Sequence, residues 1–203
     1  LNPETAGFIP HDETSFTQGL LFHDGFLYES TGRKGESKVR KLDPDSGDTL
    51  AQTDLESEFF GEGLAYFENS FYQLTWVAGV CLVYDENLKP TGQLMYGTQG
   101  WGLTVDPESK QFAFSDGSAE IRFLDPKNFV TKRRVTVTDG NGQPVSNLNE
   151  LEWVNGELWA NVWVSDAIAR IDPATGKVLG WVRFNSLVKE NQHTQEDVLN
   201  GMA

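Results

Sequence analysis

The sequence predicts an all-β protein built from repeats of one four-stranded unit. Four segments share an order of features: a polar or aromatic residue, a leucine, a short apolar run, a turn and a second apolar run rich in aromatics. They begin at Gln18, Glu62, Trp101 and Asn149, and a fifth, "NGMA", begins at Asn200. Units of roughly 40–50 residues with four short strands are typical of β-propellers. We therefore predict a five-bladed β-propeller whose fifth blade is incomplete in this chain.

Turn signals divide each unit into strands. In the first unit they separate "LLFHDG", "FLYEST", "KVRKLD" and "TLAQTD". An aspartate recurs late in each unit, and Asp43, Asp125 and Asp172 stand in Asp-Pro turns. These boundaries predict four complete blades over about 16–185 and the start of a fifth over about 198–203. A closing outer strand is expected at about 6–10 ("AGFIP"), so that 1–203 forms a single domain.

The composition fits a globular domain and argues against several kinds of partner. The chain has 203 residues, of which 38% are hydrophobic, enough for one sizeable core. A net charge of −14 disfavours nucleic-acid binding, because few basic groups are available to neutralise phosphates. No apolar run approaches the ~20 residues of a transmembrane helix, so no membrane partner is predicted. The three histidines lack the spacing of metal ligands, and we predict neither a metal nor another cofactor.

Propeller geometry predicts where the repeated polar residues lie. The start of a blade's first strand and the end of its second strand meet on one face of the ring, near the axis. Counting along the repeats places one set of side chains at this mouth: Phe16, Gln18, Phe60, Glu62, Trp76, Trp101, Asn149, Trp163 and Asn200. The tryptophans at 153, 159 and 181 are expected in the core instead.

Glu62 is the most informative member of this set. It stands between Gly61 and Gly63 with Phe60 nearby, and burying a carboxylate without partners is costly. A functional role is therefore the favoured interpretation for Glu62. For Gln18 and Asn200, holding channel water or capping a turn is an equally good explanation. Phe16 and Phe60 are divided in the same way between packing and a pocket.

Several ordered motifs resemble the plant and bacterial glutamine cyclotransferases. The motifs are "HDETSFTQGL", "FGEGLA", "LTW", "GWGLTVD", "SDGS" and "NELEWVNGELWANVW", spread over residues 10–203. The resemblance implies a five-bladed propeller that converts N-terminal glutaminyl residues of peptides to pyroglutamate and releases ammonia without a catalytic metal. It implies a secreted or periplasmic protein, expected to be a monomer, whose partners are peptides or proteins with an N-terminal glutamine.

Carried over motif by motif, the resemblance implies Glu62 as the catalytic residue. The implied substrate-binding residues are Phe16, Gln18, Phe60, Trp76, Trp101, Asn149 and Trp163. The family continues beyond its fifth "LNG" motif with two more strands, so we expect this chain, which ends at Ala203, to be a fragment or a truncated form.

The residue types suit cyclisation. The α-amine of the substrate must lose a proton to attack the γ-carboxamide carbon, and the leaving nitrogen must gain one. A desolvated Glu62, with a raised pKa, is predicted to carry that proton in both steps. Gln18 and Asn149 are expected to orient the substrate. Their NH₂ groups, or an indole N–H, are candidates for stabilising the oxyanion.

Two other functions fit parts of the pattern. A non-catalytic propeller would use the aromatic mouth to bind a peptide N-terminus or a sugar, with Glu62 only as a hydrogen-bond acceptor. A calcium-dependent lactonase or esterase would need several acidic and amide groups at the axis. The repeats place one acid there, which disfavours this second alternative.

Overall fold

The computed structural model describes residues 3–184 and 198–203. These residues contain sixteen β-strands and no helix. The strands form four antiparallel sheets of four, and within each sheet the strands follow one another in chain order. The fold is therefore an all-β, propeller-like arrangement with four blades in its described part. No helix suited to crossing a bilayer occurs among these residues.

The first two blades contain eight strands. Blade 1 consists of β1 (Thr17–His23), β2 (Phe26–Thr31), β3 (Lys38–Leu42) and β4 (Thr49–Asp54). Blade 2 consists of β5 (Gly61–Phe67), β6 (Ser70–Thr75), β7 (Val80–Tyr84) and β8 (Pro90–Met95). The first strand of each blade is the inner one, and β1 lies beside β5.

Blades 3 and 4 repeat the same order. Blade 3 consists of β9 (Leu103–Asp106), β10 (Gln111–Phe114), β11 (Glu120–Leu124) and β12 (Thr131–Thr136). Blade 4 consists of β13 (Leu148–Val154), β14 (Glu157–Val162), β15 (Ala167–Ile171) and β16 (Val178–Arg183). The inner strands continue the ring, because β5 contacts β9 and β9 contacts β13.

Two-residue turns set the register of the first hairpin in three blades. Asp24 and Gly25 join β1 to β2 with φ of 48° and 82°, and Asn155 and Gly156 join β13 to β14 with φ of 49° and 83°. Two successive positive φ angles are typical of type I′ turns, whose twist matches that of the strands they connect. A one-residue slip would move each inner face outward, so these turns help to fix which side chains point inward.

The hydrophobic core lies between neighbouring blades. Buried side chains form three clusters, which join blade 1 to blade 2, blade 2 to blade 3, and blade 3 to blade 4. Phe71 and Tyr28 pack 4.3 Å apart across the first of these junctions. Phe112 and Tyr72 pack 4.8 Å apart across the second. Each blade therefore depends on its neighbours for burial, as expected when a sheet is hydrophobic on both faces.

Glycines let the inner strands approach one another backbone to backbone. A Cβ atom on Gly19 would lie 2.6 Å from the backbone nitrogen of Leu64, and one on Gly63 would lie 2.5 Å from that of Leu103. A Cβ on Gly102 would overlap the carbonyl oxygen of Asn149. No side chain fits in such gaps. This explains why a glycine precedes the leucine in three of the repeated units.

Blade 4 carries Glu150 where the other blades carry this glycine. Glu150 is buried, and the nearby backbone N–H groups of Leu20 and Met202 favour its charged form. Asn200 Nδ2 donates to the carbonyl oxygen of Thr17 at 3.2 Å, and Asn161 Nδ2 donates to that of Leu199 at 3.3 Å. Residues 198–203 therefore link blade 4 to blade 1 through polar contacts.

The structure differs from the sequence prediction at both of the expected additional strands. Residues 6–10 are exposed and form no strand, and residues 198–203 form none either. A strand needs a neighbour to pair with its backbone N–H and C=O groups, and no fifth sheet exists in the described residues to supply one. The described residues therefore form four blades rather than five, and the predicted first strand of a fifth blade is absent from them. Residue 185, the predicted end of the fourth blade, lies outside the described residues.

Replacing Gly102 by alanine is expected to destabilise the ring. The added methyl group must displace the backbone of Asn149, and overpacking of this kind costs about 1–3 kcal/mol. Chemical denaturation of Gly102→Ala measures the loss. Gly92→Ala on β8 is the matched control, because a Cβ there meets nothing within 4 Å. Equal unfolding midpoints for the two variants would contradict a backbone contact at Gly102.

Candidate active site

Five aromatic side chains form an arc of two contacting groups at one end of the blades. The rings of Phe16 and Phe60 lie 6.1 Å apart, and those of Phe60 and Trp76 lie 5.7 Å apart. Trp101 and Trp163 pack edge to face at 5.6 Å. We call these residues the aromatic arc. The structure thus brings together every aromatic residue that the sequence placed at the mouth.

Hydrogen bonds at the same end of each blade position the arc. The backbone N–H of Trp76 donates to the carbonyl of Phe60 at 2.9 Å, and the backbone N–H of Trp163 donates to that of Asn147 at 2.8 Å. The backbone N–H of Trp101 donates to the carbonyl of Ser115 at 3.0 Å. Each bond joins the start of a first strand to the end of a second strand. The three tryptophans therefore share one face because the blades repeat.

Gln99 joins the two halves of the arc, and no sequence motif singled it out. Its Oε1 accepts a hydrogen bond from Trp76 Nε1 at 3.0 Å and from Trp101 Nε1 at 3.3 Å. These two indole N–H groups are thus engaged, which argues against the sequence-based suggestion that they stabilise an oxyanion. Trp163 is the member of the arc whose indole N–H has no acceptor in the described residues.

The other three tryptophans lie apart from the arc. Trp153 and Trp181 pack against the cluster between blades 3 and 4. Trp159 lies beside the Arg170 guanidinium, and its Nε1 donates to Glu157 at 3.2 Å. The sequence separated these two groups of tryptophans by counting from the repeated leucines.

Glu62 is a buried carboxyl group on β5, next to the arc residue Phe60. Only 6% of the residue is exposed, and its side chain has no hydrogen-bond or ion-pair partner in the described residues. Burial raises the pKa of Glu62 well above its usual value, because desolvation disfavours the charged form. Gly61 and Gly63, on either side, face backbone atoms of the adjoining blades. The glycines therefore let β5 pack closely while it holds the carboxyl group inside.

A chain of amides links Gln18 to Asn149 through Asn200. Asn200 Nδ2 donates to Gln18 Oε1 at 2.8 Å, and Asn149 Nδ2 donates to Asn200 Oδ1 at 3.4 Å. The amide orientation leaves Gln18 Nε2 and Asn149 Oδ1 without partners in the described residues, and the latter atom is buried. One donor and one acceptor are therefore available at the same end of the ring as the arc.

Two further acids on β13, the buried Glu150 and the half-buried Glu152, escaped the sequence analysis. Burial, together with the nearby Glu152, raises the pKa of Glu150 well above its usual value. Desolvation raises the pKa of Glu152 to about 7, although Thr104 donates a hydrogen bond to it at 3.3 Å. Among the described residues, the inner strands thus carry the buried acids Glu62, Asp106 and Glu150 and the half-buried Glu152. Within the described residues, no three His, Cys, Asp or Glu side chains are grouped to hold a metal ion.

The fold and the site define a β-propeller protein with a desolvated carboxyl group beside an aromatic mouth. All of residues 1–203 match the family described as glutamine cyclotransferase. The chain therefore belongs to the glutamine cyclotransferase family.

Individual relatives agree with this assignment. The chain is 39% identical to a glutaminyl-peptide cyclotransferase of Arabidopsis thaliana over 209 residues. That match covers 98% of the chain but 63% of the plant protein, so the chain spans less than two thirds of its relative's length. The crystal structure of Myxococcus xanthus glutaminyl cyclase superposes with a TM-score of 0.86 at 35% identity, covering 95% of this chain and 82% of that one.

A more distant structure shares the fold alone. Hydrazine synthase of Kuenenia stuttgartiensis matches with a TM-score of 0.56 at 13% identity, over 90% of this chain and 53% of that one. Identity at this level carries no information about chemistry.

The raised pKa of Glu152 predicts a specific pH dependence of stability. A carboxyl group whose pKa rises from 4.5 to about 7 on folding stabilises the protein below pH 4.5, and this contribution is lost as the pH rises to about 7. The free energy of unfolding of Glu152→Gln, relative to wild type, should therefore increase by about 1 kcal/mol per pH unit across this window. Denaturant titrations at several pH values measure it. Parallel curves for the two proteins would contradict the raised pKa, and Glu58→Gln, at an exposed site, serves as the control.

Proposed function

We propose that this protein is a glutaminyl-peptide cyclotransferase, which converts N-terminal glutaminyl residues of peptides to pyroglutamate and releases ammonia. The observation that carries the proposal is Glu62, a desolvated carboxyl group without a partner in the described residues, next to the aromatic arc. Family membership and the names of the two similar proteins support the same reaction.

Glu62 carries the proton in both halves of the reaction. Its carboxylate takes a proton from the substrate's α-ammonium group, and the freed amine attacks the γ-carboxamide carbon to form the ring C–N bond. Glu62 then returns the proton to the carboxamide nitrogen, which leaves as ammonia when its C–N bond breaks, and the ring nitrogen releases its remaining extra proton to solvent. A pKa raised towards the working pH suits a group that must both accept and donate.

The free amide atoms of Gln18 and Asn149 can hydrogen-bond a carbonyl oxygen and an N–H group of the substrate, respectively. Gln18 Nε2 can donate to a substrate carbonyl oxygen, because Asn200 already occupies Gln18 Oε1. Asn149 Oδ1 can accept from a substrate N–H and thereby gain the partner it lacks. Holding the amine and the carboxamide close together lowers the entropic cost of ring closure.

The aromatic arc offers an apolar surface at the mouth and favours the cationic form of the substrate on entry. Its rings offer π-faces to the substrate's ammonium group, and desolvation strengthens this attraction. At one end of the arc, the Arg33 guanidinium lies 4.8 Å from the centre of the Phe16 ring. That face of Phe16 is therefore occupied, whereas the Trp76 and Trp163 rings are exposed and can receive the substrate.

We further propose that the ring has five positions, the fifth of which begins at residues 198–203. Gly201 supports this arrangement: a Cβ there would lie 3.1 Å from Thr17 and 3.2 Å from Leu20. Gly19 approaches the backbone of Leu64 at the first junction, whereas Gly201 approaches side-chain atoms of β1. The expected substrates remain peptides or proteins with N-terminal glutamine, and the secreted or periplasmic location and the monomeric state remain predictions.

Glu62→Gln is expected to reduce kcat for a glutamine-initiated dipeptide by about 10²–10⁴-fold, because it removes the proton carrier and keeps the shape. A coupled assay for released ammonia measures the rate, and Glu58→Gln, an exposed acid close in sequence, is the control. A variant that raises KM and keeps its kcat would show that Glu62 only binds the ammonium group. Binding of the dipeptide without ammonia release by the wild type would favour a non-catalytic binding propeller.

The pH dependence of kcat provides a second test. The carboxylate form of Glu62 is the active base, so kcat should rise with pH through a pKa above the usual carboxyl range. Glu62→Gln should lose this rising limb. If kcat rises through the ordinary glutamate pKa, or if the rise persists in Glu62→Gln, the titrating group is not Glu62.

A further inference from the structure

The hydrogen bonds that Gln99 accepts determine the orientation of its carboxamide group. An indole N–H is only a donor, and both Trp76 and Trp101 point theirs at the same atom of the Gln99 carboxamide. That atom must be the oxygen, since the NH₂ group cannot accept. The Nε2 group therefore faces away from the two indoles, and it donates to no group in the described part of the chain.

The backbone around Gln99 is held on both sides. On one side, Arg122 donates to Thr98 Oγ1 at 2.6 Å, and Thr98 Oγ1 donates to the carbonyl of Gln99 at 3.0 Å. On the other, the Gly100 N–H donates to the carbonyl of Trp76 at 2.9 Å. A Cβ on Gly100 would lie 2.7 Å from the hydroxyl group of Tyr96, so this part of the loop is tightly packed. The carboxamide is thus presented in a fixed place.

Tyr96 connects this loop to the end of β6. Its hydroxyl group accepts from the Thr75 N–H at 3.0 Å and donates to the Thr75 carbonyl. Thr75 precedes Trp76, so the position of one indole and of the loop that carries the other depend on the same buried phenol. The distance between the two indoles, and hence the placement of Gln99 between them, follows from the core.

Gln99 is exposed, whereas Glu62 is buried. Only the first residue of a peptide substrate has to reach Glu62, so the second residue must lie farther out, towards the arc. A free amide donor between two indoles suits a backbone carbonyl that passes there, because the indoles cover apolar atoms and the donor pairs with the oxygen.

Taken with the proposed function, on which this step rests, these contacts give Gln99 a role in substrate recognition. We propose that Gln99 is a specificity residue, whose Nε2 donates a hydrogen bond to the backbone carbonyl of the second substrate residue. It thereby favours peptides over substrates that consist of glutamine alone.

Two variants separate the donor from the clamp that holds the indoles. Gln99→Glu keeps an oxygen that accepts from both indoles but removes the NH₂ donor. Gln99→Met removes donor and acceptor at similar length. The measured quantity is the ratio of kcat/KM for glutaminyl-alaninamide to that for glutaminamide, which lacks the second residue. Gln93→Glu, an exposed glutamine on β8, controls for the added charge.

Both Gln99 variants are expected to lower this ratio by about 3–10-fold, the effect of one hydrogen bond, while Gln93→Glu keeps the wild-type ratio. Tryptophan emission should stay near that of the wild type in Gln99→Glu and shift in Gln99→Met. An unchanged ratio in Gln99→Glu would overturn the proposal, as would an equal loss for both substrates.

The outcome stays separate from that of the proposed function. If the wild type released no ammonia from either substrate, the cyclotransferase assignment would fail. Calorimetric binding of glutaminyl-alaninamide would then test Gln99, with about 3–10-fold weaker binding to Gln99→Glu expected. Equal affinity, or no binding to the wild type, would overturn the recognition role.

Discussion

The approach of neighbouring inner strands is the constraint on which the rest of the structure depends. Gly19, Gly63 and Gly102 each stand where a side chain would overlap the backbone of the next blade. The residue before each of these glycines, Gln18, Glu62 or Trp101, belongs to the candidate site. Because β-strand side chains alternate, a close backbone contact at one position commits the preceding side chain to a different direction. Packing of the ring and composition of the site are thus two results of one spacing.

Buried acids in this fold fall into two electrostatic environments. Glu29, which is fully buried on β2, pairs with Arg40 and accepts from His11 at 2.9 Å and from Thr17 at 2.5 Å. These partners outweigh the cost of its desolvation and lower the pKa of Glu29. Glu62 has the desolvation without the partners, and its pKa is raised. The first environment holds a permanent charge that anchors the segment before Phe16, and the second leaves a proton free to move.

Much of this organisation was readable in the sequence, for a physical reason. Blades repeat, so a motif spaced at a blade length occupies an equivalent place each time, and this rule separated Trp76 and Trp163 from Trp159. Gln99 escaped because its importance depends on a contact between two blades and on the direction of an amide. Glu150 escaped because it replaces the repeated glycine in blade 4 only. Its neighbours there are Leu20 and Met202.

The expected outer strand at 6–10 failed for another reason. A short apolar stretch carries no information about which strand edge it pairs with, and residues 6–10 pair with no strand in the described part of the chain. Sequence periodicity thus predicted what each blade contains, whereas pairing between distant segments required coordinates. At strand edges and blade junctions, the local sequence pattern does not determine the long-range contacts.

The closing junction has a consequence for the order in which the molecule folds. Contacts between blades 1, 2, 3 and 4 join segments that follow one another along the chain, but the bond from Asn200 to Thr17 spans 183 residues. Bringing such distant segments together carries the largest loss of chain entropy. The contacts that offset this loss are a few polar ones, whereas an apolar cluster stabilises each of the other junctions. During refolding, the four blades should therefore pack against one another before blade 4 is linked to blade 1. In the native state, the amide hydrogens of Leu20 and Met202 are expected to exchange with solvent sooner than those buried between blades 2 and 3.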